Sequence, residues 1–311
     1  MRLDVARFLT EKLVTKDGKP RRGFAGFLGV QMVDGVPMEV AARGWLYGRK
    51  EARGKTKENY PDFKGIVVGR KFDELHLLHG CRWQAVEGEA IAHVRLNYED
   101  GVAVELPIRY GVHVRDWQRM RSEEKETLSD PGSKIVWRGE GLAALKATLR
   151  ICKSTLANPL PERVVSTIDF LSAGNLAAYD LVAATIANKD ANRPVTPPVP
   201  SDEPERNFDG RCLVTVTDAE SGEPLPGALI EPGMGVDDTG VIALPLRTDA
   251  EGKAVIRFPK TRLTYHSARV ELDGYVSQEW SGDGEFEEEM TLLSVKRDTG
   301  SSLDAERSET E

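Results

Sequence analysis

The chain has 311 residues, with 42 Lys and Arg against 50 Asp and Glu, giving a net charge of -8. An acidic surface repels phosphate backbones, which disfavours general nucleic-acid binding. Hydrophobic residues make up 40% and the mean hydropathy is -0.39, so the chain can build one large or two ordinary domains, each with its own core.

No segment approaches the ~20 consecutive apolar residues that span a bilayer. Residues 1–20, MRLDVARFLTEKLVTKDGKP, lack the apolar core of a signal peptide. On these grounds the chain is expected to be cytoplasmic or a piece of a longer secreted protein. The three cysteines, Cys81, Cys152 and Cys212, are far apart and form no CxxC or Cys/His quartet, so structural zinc is not expected. One disulfide is left open.

From residue 65 onward the pattern reads as strands. In LHLLHGCRW (75–83), alternation puts Leu75, Leu77 and His79 on one face and His76 and Leu78 on the other. The two histidines then point apart, in a buried strand from whose end Arg82 and Trp83 emerge. HLLH also lacks the general-base glutamate of HExxH, and His79 with Cys81 has no third orienting group for nucleophilic catalysis. In AHVRLNYEDGVAVELPIRYG (92–111), Val94, Leu96 and Tyr98 alternate with Arg95 and Asn97, Asp100-Gly101 supplies a turn, and Val102, Val104 and Leu106 alternate beyond it. That predicts a β-hairpin. GLAALKATL (141–149) could open as a helical turn, but the alternation after it favours a strand. The run around 162–174 completes the set. Short strands with few helices predict a β-sandwich.

Residues 189–207, KDANRPVTPPVPSDEPERN, hold five prolines and no aromatic residue, which predicts an extended linker. Beyond it, 208–295 shows the same alternation with turns at 218–222 and 249–252, as expected of a smaller immunoglobulin-type or prealbumin-like sandwich. The polar tail, 296–311, is expected to be disordered.

Motifs for chemistry are sparse. No GxSxG, phosphate-binding glycine loop or GxGxxG before a helix occurs, so no cofactor is expected. Glu87, Glu89, Glu99, Asp100, Glu105 and Asp116 read as turn carboxylates, and DGEFEEE (283–289) as a solvated edge. A glycosidase needs two carboxyl groups roughly 5–9.5 Å apart, which spacing along a chain cannot show. Aromatic residues near strand ends are the better signal, because Trp and Tyr planes stack on the apolar faces of sugar rings. Trp83, Tyr98, Tyr110 and Trp117 are such residues, with His113, Arg115 and Asp116 flanking the last two. They form the candidate ligand site.

Four runs, 29–40, 65–83, 94–117 and 158–173, taken in order, resemble a galactose-binding-domain-like jelly roll found in multi-domain proteins of planctomycete and verrucomicrobial type. The likeness covers residues 20–188. Met38 and the charged 118–134 loop depart from it. Val214–Asp218, Gly222, Pro224, Gly227-Ala228, Thr248-Asp249, Gly252 and Gly274-Tyr275 resemble the carboxypeptidase-regulatory-like, Cna-B-like family over 208–295. That family is typically a non-catalytic spacer or binding module. Some relatives form Lys–Asn isopeptide crosslinks, which this region cannot form because no Asn follows Asn207.

Together the resemblances imply an all-β chain, a jelly roll followed by a smaller sandwich. They imply a non-catalytic binding or adhesion protein of the cell envelope or extracellular space, part of a larger polypeptide, with polysaccharide or envelope glycan as partner. The alternatives are a purely structural spacer or scaffold tandem, and a glycan or ester hydrolase.

Overall fold

The computed structural model describes residues 1–9, 11–21, 24, 26–50, 62–120, 125–141, 147–201, 208–236, 239–241, 243–259, 263–283 and 289–298. The chain forms two compact units, residues 1–121 with 126–204, and 205–311 with 122–125. Residues 1–19 and the first part of the proline-rich stretch thus belong to the first unit. Both units are built from β-strands. Among the described residues no helix is long and apolar enough to cross a membrane.

The first unit holds β1 (Glu11–Lys12), β2 (Gly29–Val33), β3 (Val36–Val40), β4 (Ala42–Trp45), β5 (Asp62–Arg70), β6 (Glu74–Arg82) and β7 (Ala90–Tyr98). It continues with β8 (Ala103–Arg109), β9 (Gln118–Met120), β10 (Ser133–Glu140), β11 (Ala147–Ala157), β12 (Val165–Ser172) and β13 (Ala178–Ala187). The large sheet runs β1-β4-β13-β6-β11-β10 with β9 on β11, and the small sheet runs β5-β12-β7-β8. The antiparallel pairs are nested in sequence: β7 with β8, β6 with β11, β5 with β12, β4 with β13. This is one long hairpin rolled up, so that β6 also meets β13 and β7 meets β12. The order is that of a jelly roll. Phe170 of the small sheet and Tyr179 of the large one stack across the core with centroids 6.1 Å apart.

The hairpin read from sequence forms as expected. Val94, Leu96 and Tyr98 are buried, β7 pairs with β8, and Gly101 takes the left-handed conformation at φ 86° that the turn requires. The 142–146 part of GLAALKATL lies outside the described residues, and β11 comes directly after it. Of DGEFEEE, residues 284–288 lie outside them too, as does the tail from 299.

β6 is buried along almost its whole length, on both faces. Alternation separates its faces as the sequence implies, but a second apolar layer covers the outer one. Hairpin β2–β3 brings Val33, Val36, Met38 and Val40, and the chain before it brings Leu13, Phe24 and Phe27, onto Leu78, Val136, Ile151 and Val182. Phe24 and Phe27 stack on Trp137 at 4.7 and 5.1 Å. The proline-rich stretch then ties onto this layer: the Val199 amide donates to Ile135 O at 2.8 Å and the Thr196 amide to Asp34 Oδ1 at 2.7 Å.

Close packing at the sheet edge gives a direct test. Gly44 of β4 lies under the 3-10 turn Ala6–Phe8, and a Cβ there would fall 2.1 Å from Phe8 O. Gly44→Ala is expected to lower stability by about 1–3 kcal/mol through overpacking, measured as an earlier thermal transition of the first unit.

The second unit contains β14 (Gly210–Asp218), β15 (Leu229–Val236), β16 (Thr239–Val241), β17 (Leu246–Arg247), β18 (Lys253–Phe258), β19 (Leu263–Glu271), β20 (Gln278–Asp283) and β21 (Glu289–Val295). They form a β18-β14-β21 sheet and a β16-β15-β19-β20 sheet with β17 on β15. Cys212, Val214 and Val216 alternate into the core with Ile230, Ile256, Ala268 and Val270. First strand β14 and last strand β21 are parallel neighbours. The chain therefore enters this unit at one end and leaves at the other.

Candidate functional site

The seven sequence candidates divide by burial. Tyr98, Tyr110 and Arg115 are 3%, 0% and 2% exposed. Tyr98 donates its hydroxyl to Asn158 Oδ1, and Arg115 pairs with Glu87 at 2.8 Å and donates to Thr127 O at 2.8 Å. These groups hold the loops of the jelly roll from inside and present no stacking face. His113 accepts the Arg109 amide proton on Nδ1 at 2.9 Å, and burial lowers its pKa. Asp116 caps the Gln118 amide at 3.0 Å.

Trp117 and Trp83 remain, and the structure places them at the end of β6 with partners that spacing did not reveal. The 115–117 segment runs along this end: the Cys81 amide donates to Arg115 O and the Trp117 amide to Cys81 O. On β4, Arg43 and Trp45 are two residues apart and share a face. The Arg43 guanidinium lies 3.8 Å from the Trp117 ring centroid and 4.5 Å from that of Trp45, and Arg82 covers Trp45 at 4.4 Å. Trp117, Arg43, Trp45 and Arg82 thus alternate ring and cation, an arrangement stabilised by the ring quadrupole. Glu11 of β1 anchors it, accepting from Arg43 Nε at 3.0 Å and Trp45 Nε1 at 2.9 Å. Buried Asp180 of β13 lies 3.5 Å from Arg43.

Trp83 stands beyond Arg82 with 45% of its surface exposed. Its φ is 70°, a left-handed conformation that a bulky residue rarely adopts. The chain on its C-terminal side is held in place, since Gln84 and Ala85 are buried. The Cys81 thiol also donates to Trp83 O at 3.5 Å. Lys50 Nζ lies 5.9 Å from the ring centroid. The ring is left exposed with one basic side chain, Lys50, near it, while the Arg82 guanidinium lies over Trp45. The sequence signal for this was present in part, in the emergence of Arg82 and Trp83 at the strand end. Arg43, Trp45, Glu11 and Lys50 come from distant segments, and nothing local joins them to it.

The histidines and the cysteine of β6, His76, His79 and Cys81, are enclosed. His79 contacts Tyr179 Oη through Nδ1 at 3.1 Å and Ser154 Oγ through Nε2 at 2.8 Å, and Ser154 reaches Ser133 at 2.6 Å. A Ser–His pair at this distance has nucleophilic geometry. Both residues are 0% exposed, however, so no substrate reaches them. Burial drives the His79 pKa well below its ordinary value and the Cys81 pKa well above, which disfavours imidazolium and thiolate alike. His76 faces the other layer, with Nδ1 on Thr155 at 3.1 Å and Nε2 accepting from Arg193 at 3.0 Å. Among the described residues, no three His, Cys, Asp or Glu side chains gather as a metal site.

No family model and no curated protein matches the chain. Among solved structures it is similar to the pilus 2b backbone protein of group B streptococcus, at 13% identity over 77% of this chain and 92% of that one, with a TM-score of 0.23. It is also similar to the Bacillus anthracis TIE protein, at 13% identity, 79% and 60% coverage and a TM-score of 0.23. A third likeness is to a pilus adhesin from Streptococcus pneumoniae, at 12% identity, 68% and 27% coverage and a TM-score of 0.20. Likeness this distant carries no argument about activity.

Proposed function

We propose that the chain is a non-catalytic binding protein of the cell envelope, whose jelly roll recognises carbohydrate through the surface around Trp83. The observation that carries this reading is the exposed, left-handed Trp83 with the Lys50 ammonium 5.9 Å from its ring centroid. An apolar ring face suits the CH face of a sugar, and the Lys50 ammonium suits its hydroxyls or an acidic substituent. A strained, outward-facing aromatic residue is costly to keep and is characteristic of a contact surface. The galactose-binding-like assignment belongs to this reading and is supported by the rolled-hairpin strand order. The second unit serves as a Cna-B-like in-line spacer, supported by its parallel first and last strands.

The test is affinity electrophoresis of the full chain against a panel of neutral and acidic polysaccharides and peptidoglycan. One glycan is expected to retard the protein, and Trp83→Ala to weaken that binding about tenfold while the thermal transition stays in place. Retardation unchanged in the variant would remove Trp83 from the site. Absence of retardation by every glycan would leave the scaffold reading.

A further inference from the structure

The first unit contains a cavity of about 680 Å³ that shares no residue with the Trp83 surface. Its walls are Leu3, Val5, Ala6 and Leu9 of the opening segment, Val14, and four alanines, Ala41, Ala42, Ala183 and Ala184. The opening segment is fixed as a wall: Leu3 N donates to Ala184 O and Ile186 N to Met1 O, both at 2.9 Å, pairing with the part of β13 that lies beyond its short pairing with β4. The cavity is therefore preformed. Its breadth comes from the alanines, which leave space where larger apolar residues would fill it.

We propose that this cavity binds a neutral, largely aliphatic molecule. Its volume lies within the ~300–1,000 Å³ of small-molecule sites, and apolar walls with a few polar groups are the usual lining of such sites. No lining side chain is aromatic, so flat rings gain no stacking partner there. The charged lining residues are Arg2 and Lys12 against Asp4 and Glu39, two cations and two anions, which sum to zero. Arg2 is paired with Glu39 at 2.8 Å, and Asp4 accepts the Ala6 amide proton at 3.2 Å. A charged ligand would lose its hydration without gaining a net opposite charge, whereas an uncharged aliphatic one loses only unfavourable contact with water.

The probe is 1-octanol, titrated calorimetrically into the full chain, with octanoate and octylammonium as charged counterparts. Saturable binding of one octanol per chain is expected, with both ions about tenfold weaker or more. Ala6 and Ala41 are exposed at the lining, so Ala6→Trp and Ala41→Trp should fold normally while filling the space. Each should weaken octanol binding about tenfold or more, and Trp83→Ala should leave it unchanged. The proposal is overturned by an absence of saturable octanol binding, by tighter binding of either ion, or by binding that both filled variants retain. Glycan binding reads out the other site, so either result stands without the other.

Discussion

Replacing Asp34 with Ala is expected to destabilise the first unit by about 3–5 kcal/mol, the cost of stranding buried charges. Asp34 sits at the turn of the β2–β3 hairpin with φ 52° and accepts from both Lys134 and Lys153 at 2.6 Å. The side chains of Asp34, Lys134 and Lys153 are 11%, 18% and 4% exposed. Burial opposes ionisation of the carboxyl, but the two ammonium groups and the Thr196 amide outweigh it and hold its pKa at about 2. Lys134 also donates to Thr196 O at 2.6 Å, so this carboxylate joins the hairpin, the large sheet and the proline-rich stretch. Removing it leaves two ammonium groups in a desolvated layer. Asp34→Asn separates the charge from the backbone, because Asn tolerates the left-handed turn as well as Asp does. Urea unfolding should show both variants losing most of the same stability. A loss under about 1 kcal/mol would mean that the lysines reach water on their own.

Acid should unfold the first unit well above the pH at which its carboxylates titrate. His76 is pushed from 6.5 down to about 3, by burial first and then by Lys153 and Arg193. His79 is lowered by burial first, then by His113 and Lys153. A histidine held neutral in the fold takes up its proton only on unfolding, so stability is full above pH 6.5 and falls as the pH drops. The slope approaches about 1.4 kcal/mol per pH unit per histidine, which makes roughly 2.3 kcal/mol for His76 between pH 6.5 and 4.5. His79 and His113 act in the same direction. Asp34, depressed to about 2, extends the loss below its ordinary 3.8. Urea midpoints measured from pH 8 to 4 should fall steadily below 6.5, and His76→Gln should make the curve shallower. A flat profile would show that the folded protein admits these protons.

Local periodicity carried much of the fold. A side-chain period of two is a property of any extended chain, so the opposite facing of His76 and His79, the turn at Gly101 and the alternation along β14 were legible in residue order alone. So was the emergence of Arg82 and Trp83 at the end of β6. The same logic did not reach the inward turn of Tyr98, Tyr110 and Arg115. An aromatic or cationic residue near a strand end can face either way, and its direction is set by Asn158 or Glu87, both far away in sequence.

The sequence by itself determined that the chain is all-β, where its strands alternate, and that its second region makes a separate small sandwich. Tertiary structure alone decided which faces meet water. Whether the outer face of β6 is buried depends on residues 13–40 returning to cover it, and whether Trp117 stacks depends on Arg43 arriving from another strand. The cavity depends on the opening segment lying along β13. These are encounters between segments far apart in the chain, governed by loop closure and packing, and no local period encodes them.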